Sequence, residues 1–217
     1  MKIRVKICGV RRHSDIKVAV EAGAAYVGVV FFSKSPRNVS FPQGRALMQE
    51  TPSGVCKVAL MVNPEKKFVE RVINEVPIDM IQLHGQESLT LVKEIKESFG
   101  LPVMKAIGVK SEDDIKEIFE YSRVADQILL DAVSGSMSHS PGGNGQPFDW
   151  RLVTDLEWSK PWMLAGGLNE KNVIEAIKVT NAVQIDVSSG VEVMKGIKSG
   201  SKIRKFMKIV ESLSNVE

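Results

Sequence analysis

The sequence predicts one closed (β/α)8 barrel spanning all 217 residues. Eight short apolar runs recur, at residues 2–8, 26–31, 55–62, 80–84, 103–109, 127–131, 161–165 and 182–187. Helical apolar spacing fills the intervals, and the repeat averages about 27 residues, a normal strand-plus-helix period for a small barrel. Several runs are almost continuously apolar, as strands covered on both faces must be. The rival is an open doubly wound sheet, but no GxGxxG opens the first helix.

Side chains alternate between the two faces of a strand. In the first run Ile3, Val5 and Ile7 share the face expected to meet the helices, and Arg4, Lys6 and Cys8 point inward. Ser14 and Asp15 are placed to cap the first helix. The second strand leads into a long loop, residues 32–42, that carries Lys34, Arg37 and Asn38. Cys56 in the third run reads as a small buried hydrophobe. Phe68, Val69, Val72, Ile73 and Val76 then recur at helical spacing. In the fourth run Gln82 and His84 oppose Ile81 and Leu83.

Leu91, Val92, Ile95 and Phe99 form the next helical stripe, and residues 111–114 (SEDD) are placed to cap the fifth helix. The sixth strand ends in Asp131. The stretch 132–147, rich in Ser and Gly, follows it and reads as a mobile active-site loop, because compact domains rarely keep so long a loop without a use. The seventh strand ends in Ala165-Gly166-Gly167-Leu168. In the eighth, Gln184 and Asp186 oppose Val183 and Ile185. Ile203, Phe206, Met207, Val210 and Leu213 form the stripe of the last helix.

Inward polar residues cost several kcal/mol in an apolar interior unless they find partners, and a polar site at the barrel mouth supplies them. That mouth lies at the C-terminal ends of the strands. Cys8 ends the first strand there, with Lys6 and Arg11 as neighbouring cations that favour a thiolate. Asp131 ends the sixth, and a carboxyl across the mouth from a thiol suggests an acid and a base of unlike character. Gly166 and Gly167 after the seventh strand, with Ser188, Ser189 and Gly190 after the eighth, allow successive backbone amides to approach a phosphate. His84 reads as a substrate ligand, a base, or a polar residue holding its neighbours. His13 and His139 form no metal spacing with Cys8 or Cys56, so no metal site is expected.

Composition narrows the class. The net charge is +3, with cations and anions interspersed, which suits a small anionic substrate better than nucleic acid. Two cysteines make no disulfide framework. Charges interrupt the only apolar run near the start, and no apolar stretch approaches 18 residues, so neither a signal peptide nor a membrane span is expected. A cytoplasmic protein, monomeric or homodimeric, fits these features.

Six segments stand in order: Lys6-Ile7-Cys8-Gly9, Gln82-Leu83-His84-Gly85, Leu129-Leu130-Asp131, the run 142–150 (GGNGQPFDW), Ala165-Gly166-Gly167-Leu168 and the run 186–192 (DVSSGVE). Together with Lys34-Ser35-Pro36-Arg37, they resemble the phosphoribosylanthranilate isomerase family of tryptophan biosynthesis, from the first strand to the last helix. The resemblance implies a barrel of the ribulose-phosphate-binding type. It also implies a cofactor-free Amadori rearrangement, an aldose-ketose isomerisation of N-(5-phosphoribosyl)anthranilate to 1-(2-carboxyphenylamino)-1-deoxyribulose 5-phosphate. Cys8 matches the family's general base and Asp131 its general acid. Arg37 matches the position that binds the anthranilate carboxylate, while Asp186 is expected to accept a ribose hydroxyl.

The chain departs from the family pattern at residues 195–199, where Gly196 and Lys198 remain but the family's Pro and Asp do not. A Ser-rich insert, residues 134–140, is the other departure. The histidine-pathway isomerases use paired aspartates at the first and fifth strand ends, and this chain has neither. A non-catalytic phosphate binder would not need Cys8 and Asp131 together.

Overall fold

The computed structural model describes residues 2–132, 148–154 and 156–214. Eight parallel strands close into a barrel in sequence order: β1 (Arg4–Cys8), β2 (Tyr26–Phe31), β3 (Cys56–Met61), β4 (Met80–Leu83), β5 (Val103–Val109), β6 (Gln127–Ala132), β7 (Trp162–Leu164) and β8 (Gln184–Val187). Among the described residues seven α-helices surround it: α1 (His13–Glu21), α2 (Phe41–Glu50), α3 (Lys66–Glu75), α4 (Leu89–Phe99), α5 (Asp113–Ser122), α6 (Val173–Thr180) and α7 (Gly200–Ser214). The sixth unit departs from the expected pattern. Among its described residues it carries a single 3-10 turn, Trp150–Val153, in place of an α-helix. The proposed mobile loop, including the Ser-rich insert, lies outside the described residues from 133 to 147.

The alternation read from the sequence sorts the core into two compartments. Val5, Ile7, Val27, Val29, Ile81, Leu83, Ile185 and Val187 face the helices in one large cluster. Tyr26, Val58, Met80, Met104, Leu129 and Met163 fill the barrel interior as a second. Above them Cys8, Val30 and Leu60 form a small cluster beneath the mouth. Gln184 differs from expectation. It lies low in the barrel, where its Oε1 accepts from Tyr26 Oη at 2.7 Å and Gln127 Nε2 at 3.2 Å, so its polarity serves the floor rather than the mouth.

Helix starts also shift. α1 begins at His13, so Ser14 and Asp15 lie inside its first turn; Asp15 accepts from the backbone N–H of both Arg11 and Arg12 at 3.2 Å. Asp15 thus satisfies orphan donors of the helix start from within the helix. Asp114 does the same for Lys110 and Ser111 ahead of α5. After β8 a 3-10 turn, Ser189–Val191, leads into a small hairpin of β9 (Glu192–Met194) and β10 (Ile197–Lys198).

Candidate active site

A cleft opens at the C-terminal ends of the strands and gathers residues from nearly every unit. Cys8 comes from β1, Arg37 from the loop after β2, His84 from the end of β4, and Asp131 from β6. Gly166, Gly167 and Leu168 follow β7, and Asp186, Ser188 and Ser189 come from β8 and the turn after it. Val30, Phe32, Leu60 and Val62 supply an apolar wall.

Cys8 sits over a buried charge. Lys6, two residues earlier on the same face, is fully buried and donates from Nζ to Asp186 Oδ1 at 3.0 Å. The pairing follows from strand register, because Lys6 and Asp186 stand opposite each other between β1 and β8. Gly28 on β2 makes the room: a Cβ there would lie 3.2 Å from Lys6 Nζ and 3.5 Å from Cys8 Sγ.

The electrostatics correct one expectation. Burial pushes the Cys8 thiol up, against the opposing pull of Lys6 and Lys198, while Asp186 adds to the rise. Lys6 is the largest of the charges that oppose the rise, and Arg11, expected to assist, is not among the leading ones. Lys6 itself is held well above the usual lysine range: burial opposes its charge, and Asp186 and Cys8 outweigh the burial.

Asp131 is fixed from two sides. Its Oδ1 accepts from the Ala132 backbone N–H at 2.8 Å, and its Oδ2 meets His84 Nε2 at 3.1 Å. His84 Nδ1 in turn meets Gln82 Nε2 at 3.1 Å, so His84 holds its neighbours while lining the cleft.

The β7 and β8 loops form one flank. Gly166 and Gly167 have φ of 86° and 66°, conformations that favour glycine. A Cβ at Gly166 would lie 2.5 Å from the Ala132 backbone nitrogen, so the flank packs directly against the residue after Asp131. Gly190 does not line the cleft. A Cβ there would come within 2.0 Å of the Leu168 carbonyl, and its bareness lets the two loops close on each other. The Ser188 hydroxyl donates to the Cys8 carbonyl at 3.1 Å and receives Lys198 Nζ at 3.1 Å, so its one proton is already committed and it has none to offer an anion.

Arg37 is 8% exposed and forms a two-pronged pair with Glu192, through Nε at 2.7 Å and Nη2 at 2.9 Å. Glu192 also receives Lys198 Nζ at 2.7 Å and the Gly196 backbone N–H at 3.1 Å. Burial would raise the Glu192 carboxyl, but hydrogen bonds from Arg37 and the charge of Lys198 outweigh it and hold the group below the usual range. Two cations on one carboxylate leave this corner net positive. The residues that survive in the divergent 195–199 stretch are therefore those that complete the network.

The sequence marks Glu192 and Lys198 as motif residues without a role, and it does not reveal a second buried pair, Lys105 with Glu87 at 2.9 Å. Glu87 also accepts from the Gly85 N–H at 3.0 Å, and Lys105 Nζ donates to the Gly85 carbonyl at 2.7 Å, so this pair grips the turn directly after His84. A lysine inside an otherwise apolar strand was the available signal. Among the described residues no cluster of three His, Cys, Asp or Glu is placed to hold a metal ion, and no helix is long and apolar enough to cross a membrane.

Residues 5–209 match the family described as N-(5'phosphoribosyl)anthranilate (PRA) isomerase. A curated relative, the N-(5'-phosphoribosyl)anthranilate isomerase of Cereibacter sphaeroides, is 50% identical over 205 residues, covering 94% of this chain and 97% of the relative. That of Ruegeria sp. is 48% identical over 212 residues, covering 97% and 99%. Among solved structures, the phosphoribosyl anthranilate isomerase of Thermotoga maritima superposes with a TM-score of 0.86 at 36% identity, covering 97% of this chain and 99% of the other. A phosphoribosyl anthranilate isomerase in complex with reduced 1-(o-carboxyphenylamino)-1-deoxyribulose 5-phosphate superposes with a TM-score of 0.83 at 35% identity, with the same coverage.

Proposed function

The chain belongs to the N-(5'-phosphoribosyl)anthranilate isomerase family of tryptophan biosynthesis, and on that footing we propose that it performs the Amadori rearrangement by general acid and base catalysis. The observation that carries the reading is the pairing of one thiol, Cys8, with one carboxyl, Asp131, across a single cleft.

The substrate is a phosphorylated sugar joined to an aromatic amine. Asp131 gives a proton to the furanose ring oxygen as the C1–O bond breaks, and the amine lone pair closes to an iminium. The Cys8 thiolate then takes the proton from C2, and the C–H electron pair neutralises the iminium to an enolamine. Tautomerisation of the enolamine yields the aminoketone. No bond to sulfur forms.

The buried thiol requires help at the second step. Lys6 below it supplies one opposite charge, and the iminium formed by ring opening supplies another beside it. Both favour the thiolate when it is needed. The Gly166–Gly167 turn and the Ser188-Ser189 backbone are the proposed phosphate cradle, with Gly190 closing it by packing. The net positive corner at Arg37 suits the anthranilate carboxylate, and the free edge of the Arg37 fork, Nη1, is the donor left to meet it. Asp186 is the proposed acceptor for a ribose hydroxyl, and a cytoplasmic setting suits this small-molecule chemistry.

Anthranilate adducts fluoresce, so turnover of enzymatically generated substrate can be followed directly. The expected result is a first-order loss of substrate signal proportional to enzyme. Tight product binding without turnover would overturn the reading in favour of a phosphate-ligand binder.

A further inference from the structure

Gln82 is completely buried, does not line the cleft, and has a buried Oε1 with no hydrogen-bond partner. Its amide meets His84 Nδ1 at 3.1 Å, and His84 Nε2 meets Asp131 Oδ2 at 3.1 Å. A buried amide oxygen left unpaired carries a real cost, so its presence beside the proposed acid calls for an explanation.

The donor and acceptor capacities fix the direction of this chain. A carboxylate only accepts, so an ionised Asp131 requires the proton of a neutral His84 on Nε2. Nδ1 is then an acceptor and Gln82 must present its NH2 group. When Asp131 carries a proton on Oδ2, it donates to Nε2, His84 moves its proton to Nδ1, and Gln82 must present Oε1. As placed, the amide presents its NH2 to Nδ1 while Nε2 faces Asp131, so the two contacts support the same tautomer.

We infer that Gln82 is a positioning residue for the acid step, an amide that shares with Asp131 the setting of the His84 tautomer. His84 is thereby set to donate from Nε2 to the Asp131 carboxylate that proton transfer leaves. The inference rests on Asp131 as the acid, but its primary readout is independent of turnover.

The test is nitrogen NMR of histidine-labelled protein, with His84 isolated by His13→Gln and His139→Gln. With the carboxylates ionised, the unprotonated ring nitrogen of His84 is expected to be Nδ1. Gln82→Met removes both amide atoms together; a mixture of tautomers is expected, with kcat lower by about 10- to 100-fold, KM within about twofold and no loss of melting temperature. Gln82→Glu only accepts, and is expected to move the proton to Nδ1 with a comparable fall in kcat. A bare Nε2 in the otherwise unaltered protein would overturn the inference even if neither variant folds. So would a folded Gln82→Met with unchanged tautomer and kcat. Loss of the Asp131 role would instead appear as full activity in Asp131→Asn, with the His84 tautomer unaffected by that finding.

Discussion

Lys6 Nζ and Asp186 Oδ1 lie 3.0 Å apart at the one register position where β1 and β8 bring them face to face, and Cys8 stands next above Lys6 on the same inward face. The ammonium is thus a buried charge shared by a carboxylate and a thiol. Its removal strands Asp186 and takes away the cation that most opposes the rise of Cys8.

Lys6→Met is therefore expected to cost about 3–5 kcal/mol of stability, as breaking a buried pair does. It also raises the Cys8 thiol further, so the alkaline rise of kcat/KM moves to higher pH. Denaturant unfolding and a pH–rate profile check both; an unmoved profile in a folded variant would show that Lys6 does not act on the thiol.

The two thiols make stability depend on pH in a defined direction. Burial raises Cys8, and it raises Cys56 from 9.0 to about 11. A group raised on folding contributes stability that is complete below its unfolded value and is lost as pH climbs toward its folded one. Unfolding free energy is expected to fall between about pH 9 and 11, and Cys56→Ser is expected to flatten that fall. An equally steep fall in Cys56→Ser would contradict the assignment.

Glu192 holds two cations, Arg37 and Lys198, and its carboxyl is depressed. A depressed carboxylate contributes stability that is present above its unfolded value and is lost as pH falls through the folded one, here below the ordinary 4.5. Glu192→Gln is expected to cost about 3 kcal/mol at neutral pH, to lessen the acid sensitivity, and to raise KM because Arg37 loses its anchor. Equilibrium unfolding at two pH values and a KM measurement test this.

The barrel is legible in the sequence because each strand is short, apolar and closed by a glycine or a polar residue, a local pattern. Cys8 and Asp131 are legible for the same reason, as polar residues at the ends of apolar runs. Arg37 is legible as a position but not in its pairing: Glu192 lies 155 residues away, and only closure of the barrel brings the two together. The grip of Lys105 and Glu87 on the turn after His84 is hidden likewise, since it joins α4's approach to the next strand. The 3-10 turn at Trp150–Val153 escapes pattern reading because four residues carry no period.

The central claim is that Cys8 takes the C2 proton and Asp131 supplies the ring-opening proton. The most direct measurement is single-turnover fluorescence with Cys8→Ser and Asp131→Asn beside the unaltered protein. Each variant is expected to fold, bind product and lose about 10²- to 10⁴-fold in rate. Near-normal rates in both would contradict the account.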